Sequence, residues 1–169
     1  MRAKRLAELS MLTAVALIIF IVELRLPDLS AIPGVKLGLA NIITVYAVYR
    51  CTSKETLLIV CTRVMLGSIF GGNISAILYS MSGALMCLAG MLLLRRIIPT
   101  NYLWLCSILG AVFHNTGQIL TAVAVTRSLA VLGYYPVLIF TGCIAGLFTG
   151  ICAQLVIKRL RTDGLGTAD

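Results

Sequence analysis

Six long apolar runs, separated by short polar connections, constrain this chain more than any other feature. A helix needs about 20 apolar residues to cross a bilayer, with about 17 at the lower end of the usual range. Of the 169 residues, 60% are hydrophobic and only 12% are charged, whereas soluble domains carry about 25% charged residues. The runs cover residues 7–24, 35–49, 55–70, 74–94, 103–126 and 136–157.

The bilayer offers no water to the backbone, so each run is predicted to be a helix. We therefore expect an all-α integral membrane bundle of six transmembrane helices, formed by a single domain over residues 1–160. The stretch 161–169 is polar and contains glycine, and we expect it to be a flexible cytoplasmic tail.

The distribution of lysine and arginine predicts the orientation of the bundle. If all six runs span, ten basic residues fall on the side of the two termini and three on the other side, with Arg63 left inside the third run. Basic residues favour the cytoplasmic side, so both termini are expected there. The net charge of +8 is assigned to these anchors and to contacts with membrane lipids, not to nucleic acid.

The cysteine and histidine content argues against metal sites and disulfide frameworks. The six cysteines include no C-x-x-C pair, and we interpret them as small packing residues. His114 is the one histidine of the chain, which excludes a site built from several histidines. We expect no metal and no cofactor.

Two stripes of small residues are candidates for close helix packing. In the sixth run, Gly142, Gly146 and Gly150 recur at a spacing of four, which lets two backbones approach within a bilayer. This stripe can pack inside the bundle or against a partner protein, and internal packing is the favoured interpretation. In the first run, Ser10 and Ala14 form a similar face, which can pack on a sister helix or dock on another membrane protein.

Several polar residues lie inside apolar runs, where an ionisable group is costly and therefore suggests a site. Arg63 falls about 12 Å from the inner end of its run, at 1.5 Å per residue. It can tie helices together or meet an anionic ligand group. His114 and Gln118 share one face of the fifth run, with Asn115 beside them. The other candidate ligand-binding residues are Lys36, Asn41, Asn73 and Tyr79.

The depth of these residues predicts a cavity that opens to the outside. They fall in the outer half of the membrane or near its middle, whereas a continuous ion pore would be lined in both halves. No carboxylate is expected among them, since Glu23 and Asp28 are assigned to the first loop region outside the cavity. That composition argues against a cationic ligand and against paired-carboxylate catalysis. We expect an anionic or hydrogen-bond-rich ligand, and no enzymatic activity.

Three motifs resemble the signatures of one known family. They are PGVKLGLAN at 33–41, RVMLGSIFG at 63–71 and GAVFHNTGQ at 110–118. Together they are similar to the Gx transporter family, which is also called heptaprenyl diphosphate synthase component I. That family in turn resembles the substrate-binding S components of energy-coupling factor (ECF) transporters, which are six-helix membrane proteins.

The resemblance implies a multi-pass protein of the bacterial inner membrane that captures a small molecule from outside. It also implies two kinds of protein partner, a transmembrane coupling protein and cytoplasmic ATPases. Docking on the coupling protein would use an A-x-x-x-A face of the first helix, for which this chain has Ser10 and Ala14 at the matching spacing.

Other functions stay open at this point. The chain could be a non-catalytic membrane accessory subunit for prenyl diphosphate or quinone synthesis, although it carries no aspartate-rich magnesium–diphosphate motif. A membrane enzyme using His114 is the weakest hypothesis, because no second catalytic group is evident. Flavins, quinone precursors and isoprenoid phosphates are all candidate ligands.

Overall fold

The computed structural model describes residues 3–25, 38–72 and 76–162. Within these ranges the chain forms α-helices and two short 3-10 helices, Thr100–Tyr102 and Leu129–Tyr134, without a strand. The prediction of an all-α fold is confirmed. The α-helices are α1 (Ala3–Arg25), α2 (Asn41–Arg50), α3 (Ser53–Phe70), α4 (Ala76–Leu94), α5 (Leu103–Thr126) and α6 (Tyr135–Thr162).

Four helices of the described chain, α1, α4, α5 and α6, are long and apolar enough to cross a membrane. The α3 helix has 18 residues but includes Lys54, Glu55 and Arg63. The α2 helix has only 10 residues, so it is about 15 Å long, half the thickness of the hydrocarbon core. The chain is therefore a multi-pass membrane protein, while six spans with cytoplasmic termini stay a prediction.

The second helix begins later than the sequence predicted. We expected it to start at residue 35, but α2 begins at Asn41. Gly38 has a φ of 67°, a left-handed conformation that glycine adopts without steric cost. The backbone amide of Asn41 donates to the Gly38 carbonyl at 2.8 Å, so residues 38–41 form a turn that leads into α2. This turn forms one edge of the site described below.

A reciprocal capping box fixes the start of α3. The Glu55 amide donates to Thr52 Oγ1 at 3.4 Å, and the Thr52 amide donates to Glu55 Oε2 at 2.8 Å. The same carboxylate accepts two hydrogen bonds of 2.9 Å from the Arg5 guanidinium. One glutamate therefore both caps α3 and ties it to α1.

The α5 helix packs most extensively, against α4 on one side and α6 on the other. The α6 glycines make the second contact close. A β-carbon on Gly150 would lie 2.6 Å from Trp104 Cα and 2.7 Å from Ser107 Cβ. A β-carbon on Gly146 would lie 2.9 Å from Ile108 Cα. The prediction that the glycine stripe packs inside the bundle is confirmed.

The small-residue face of α1 is exposed. Ser10 and Ala14 both lie on the surface, whereas Leu9 and Ala16 on the opposite side are buried, at 2% and 0% exposure. The α1 helix packs on α2 and α3 through that buried side. Within the described chain, Ser10 and Ala14 therefore do not pack on a sister helix, which removes one of the two interpretations. Docking on a partner stays a prediction.

Candidate functional site

A cavity of about 430 Å³ lies within the helical bundle. Residues from all six α-helices line it, so no single helix forms the site. Small-molecule sites in proteins commonly enclose about 300–1,000 Å³. The cavity is therefore large enough for a small organic molecule.

Six of the eight predicted ligand-binding residues line this cavity, and they come from four different helices. Lys36 and Asn73 lie outside the described residues. The six that line the cavity are Asn41, Arg63, Tyr79, His114, Asn115 and Gln118.

Arg63 is the positively charged group of the described cavity wall. Its side chain is only 8% exposed. One guanidinium nitrogen, Nη2, donates to Asn41 Oδ1 at 3.3 Å, which links α3 to the start of α2. The Nε–H group is buried and has no hydrogen-bond partner among the residues that the structure describes. Buried donors are nearly always paired, so this Nε–H group can serve an acceptor that enters the cavity.

His114 and Gln118 project from α5 next to a glycine of α4. A β-carbon on Gly83 would lie 2.7 Å from Gln118 Cγ and 3.1 Å from His114 Cε1. The small residue on α4 therefore lets α5 place an imidazole and a carboxamide close together. These groups can donate and accept hydrogen bonds.

Asn115 holds a different position on the same helix. Its side-chain nitrogen donates to the Leu138 carbonyl, so part of its hydrogen-bonding capacity ties α5 to α6. Gly142 faces the same carboxamide. Asn115 thus lines the cavity but also serves as a helix-to-helix contact, a structural role that the sequence did not predict.

Glu23 is a cavity residue that sequence reasoning missed. We expected no carboxylate in the site, but Glu23 lines the cavity wall and is 8% exposed. Its two oxygens accept hydrogen bonds from the amides of Gly38 and Leu39, at 2.5 and 3.0 Å. The carboxylate belongs to the site because the turn before α2 folds back onto the end of α1. These partners are 15 and 16 residues away in sequence, so no local pattern indicated the contact.

One end of the cavity lies against packed residues of the described chain. Ser107 and Thr149 line it and hydrogen bond to each other at 3.1 Å, and both are buried. No sequence pattern singled out Thr149. The main core of the bundle includes Leu103 and Cys106 from α5 and Ala153 and Ile157 from α6, which lie within about two turns of Ser107 and Thr149 along these helices. The cavity is therefore a pocket with a packed floor in the described chain.

Comparison with known proteins decides the family. A family model described as heptaprenyl diphosphate synthase component I matches residues 12–156. The chain belongs to this family. No curated protein and no solved structure matches the chain.

The heptaprenyl diphosphate synthase component I match extends from the first turns of α1 into the last part of α6. It therefore contains the whole cavity wall, including Glu23, Arg63 and Thr149. The family resemblance seen in three short motifs thus extends over nearly the whole helical bundle.

Proposed function

We propose that this chain is the substrate-binding subunit of a small-molecule transporter, similar to ECF S components. The observation that carries the proposal is the cavity whose wall contains the buried Arg63 guanidinium and the side chains of Asn41, His114 and Gln118. The Nε–H of Arg63 has no hydrogen-bond partner within the described part of the chain. The ligand would be an anionic or hydrogen-bond-rich molecule, and the chain itself would not be a catalyst.

The cost of burying Arg63 supports a binding role. An arginine at the centre of a bilayer costs about 3 kcal/mol or more. Among the residues that the structure describes, its hydrogen-bonding partner is a single amide oxygen at 3.3 Å. A structural arginine would be expected to satisfy more of its five donors within the protein. An arginine that binds a ligand would instead leave a donor available for that ligand.

The closed floor supports binding over conduction. A channel needs a continuous polar path, but Leu103, Cys106, Ala153 and Ile157 pack together in the core next to the Ser107–Thr149 pair. A pocket that opens at one end suits capture of a ligand, which separate proteins would then transport across the membrane. In that scheme the exposed Ser10 and Ala14 face of α1 would dock on a coupling protein that works with cytoplasmic ATPases.

The experiment is ligand retention. The protein would be expressed, purified in a mild detergent and extracted, and the extract analysed by untargeted mass spectrometry. We expect a small molecule at near-stoichiometric amount in the wild type. Its amount should fall at least about tenfold in Arg63→Ala and Asn41→Ala, which corresponds to about 1.4 kcal/mol of binding energy.

Arg96→Ala is the matched control, because Arg96 is exposed in the turn after α4 and does not line the cavity. It should retain the ligand as well as the wild type. Equal retention in Arg63→Ala, Asn41→Ala and the control would remove the assigned site.

The family description favours one alternative, a non-catalytic accessory subunit for prenyl diphosphate or quinone synthesis. This function predicts a stable complex with a soluble partner that carries the aspartate-rich magnesium–diphosphate motif. Affinity purification from native membranes would test it. Recovery of that partner, together with retention unchanged by Arg63→Ala, would favour the accessory role, and recovery of a membrane coupling protein with ATPases would favour transport.

A further inference from the structure

Glu23 and Arg63 together set the charge of the cavity. The Glu23 carboxylate is fixed because both of its oxygens accept amide hydrogen bonds from the turn that precedes α2. The Arg63 guanidinium lies on the wall of the same cavity, and no direct ion pair joins it to this carboxylate. Both residues are 8% exposed, so bulk water screens the interaction between their charges poorly.

Counting charges along the described cavity wall gives one full negative charge and one full positive charge. Among the described residues that line the cavity, the charged side chains are those of Glu23 and Arg63. The described part of the wall is therefore close to electrically neutral when its histidine is neutral. A buried pair of opposite charges tolerates a low-polarity environment far better than an additional unpaired charge does.

The free donor on Arg63 requires an acceptor but not an anion. Its Nε–H lacks a partner within the described chain, and a carbonyl oxygen or ring nitrogen would satisfy it. A phosphate or carboxylate would also satisfy it, but would leave a net negative charge beside the fixed Glu23 carboxylate. Among ligands of equal shape, the uncharged acceptor is therefore favoured.

We propose that the ligand group facing Arg63 is an uncharged hydrogen-bond acceptor, such as a carbonyl or a ring nitrogen, and that Glu23 excludes phosphate and carboxylate groups from this position. The inference rests on the proposed function in that it narrows the class of ligand. It favours carbonyl-rich ring compounds and disfavours isoprenoid phosphates. Glu23 becomes a specificity-determining residue.

The test measures anion binding directly, with inorganic pyrophosphate as the probe. Melting temperatures of the detergent-purified full chain would be followed against pyrophosphate concentration, with sodium chloride at matched ionic strength as the reference. Four proteins are compared: wild type, Glu23→Gln, Arg63→Gln and the double variant Glu23→Gln/Arg63→Gln. A ligand that binds the folded state raises the melting temperature in a concentration-dependent way.

We expect no Arg63-dependent stabilisation of the wild type by pyrophosphate. Glu23→Gln should gain it, at pyrophosphate concentrations at least about tenfold below any at which the wild type responds, and the double variant should lose it again. Arg63-dependent stabilisation of the wild type would overturn the inference, as would a folded Glu23→Gln protein that does not respond. If Glu23→Gln does not fold, the comparison of the wild type with Arg63→Gln tests the inference. An equal rise of the melting temperature with pyrophosphate in both proteins supports anion exclusion. A larger rise in the wild type overturns it.

The failure of this inference is distinguishable from failure of the proposed function. A wild type that retains a phosphorylated molecule through Arg63 refutes anion exclusion and supports a binding role. A wild type that retains no small molecule, while Glu23→Gln gains the pyrophosphate response, refutes the binding role and leaves the anion exclusion in place.

Discussion

The hydroxyl groups of Ser107 and Thr149 lie 3.1 Å apart at the floor of the cavity and join α5 to α6. Gly146 and Gly150 on α6 flank this hydrogen bond in sequence and lie directly against the α5 backbone. The two helices approach closely enough for the short hydroxyl side chains to meet. The cavity ends where the backbones come together.

The first prediction concerns this close approach. Gly150→Ala would place a methyl group 2.6 Å from Trp104 Cα, and backbone atoms cannot yield cheaply. We expect a loss of about 1–3 kcal/mol in unfolding free energy, measured by detergent-driven unfolding. Gly133→Ala is the matched control, since a β-carbon there meets nothing within 4 Å. Equal stability of the two variants would mean that α5 and α6 are further apart than in this structure.

The second prediction concerns the link between α1 and α3. Glu55→Gln keeps the shape of the side chain but removes the charge that pairs with Arg5. The Glu55 side chain is 10% exposed and that of Arg5 is 32% exposed, so solvent weakens the pair only partly. We expect a loss of about 1–2 kcal/mol in unfolding free energy, measured by the same detergent-driven unfolding.

Glu8→Gln is the control for this pair, because Glu8 also contacts Arg5 but its side chain is 51% exposed. Its effect should stay below about 0.5 kcal/mol. A loss in Glu8→Gln equal to that in Glu55→Gln would contradict the assigned link between the helices.

The third prediction concerns the placement of the α5 polar groups. Gly83→Ala would push against Gln118 Cγ and the His114 carbonyl, at 2.7 and 2.9 Å. Both residues should shift, and the amount of retained ligand should fall about tenfold or more, since a small misplacement of binding groups is costly. Mass spectrometry of extracted ligand gives the measurement. Ala89→Ser, on an exposed position of α4, should retain the wild-type amount.

The fourth prediction concerns the turn before α2. Glu23→Gln leaves one carbonyl oxygen for two amide donors and places an NH₂ group near the other, so one of the hydrogen bonds to Gly38 or Leu39 is lost. Amide hydrogen exchange in the segment around residues 38–41 should become several-fold faster, as measured by mass spectrometry. The exposed Glu8→Gln serves as a control and should leave exchange there unchanged. Unaltered exchange in Glu23→Gln would show that the carboxylate does not hold this turn.

The lengths of the apolar runs alone predicted most of the fold. The bounds expected for the fourth and fifth runs, 74–94 and 103–126, lie within two residues of α4 and α5. A long apolar stretch predicts a helix because its backbone groups must hydrogen bond to one another in lipid. The start of α2 could not be predicted from run length, because the turn at Gly38 depends on a left-handed backbone and on a carboxylate from another helix.

The candidate site was likewise predictable from the sequence only in part. Its polar members, Arg63 and His114 among them, could be named from the sequence because ionisable groups in apolar runs are rare and expensive. Which of their atoms already have partners depends on helix packing. Arg63 donates to Asn41, 22 residues away in sequence, through Nη2, whereas its Nε–H has no partner among the described residues, a distinction that no local pattern reveals.

The sequence by itself determined that this chain is helical, lies in a membrane and carries a small set of buried polar residues, because hydrophobicity is a property of each residue and its neighbours along the chain. Only the tertiary structure decided that Glu23 lies in the same cavity as Arg63, and that the glycines of α6 face α5. Those facts depend on how helices distant in sequence pack. The charge and shape of a binding site arise from that packing.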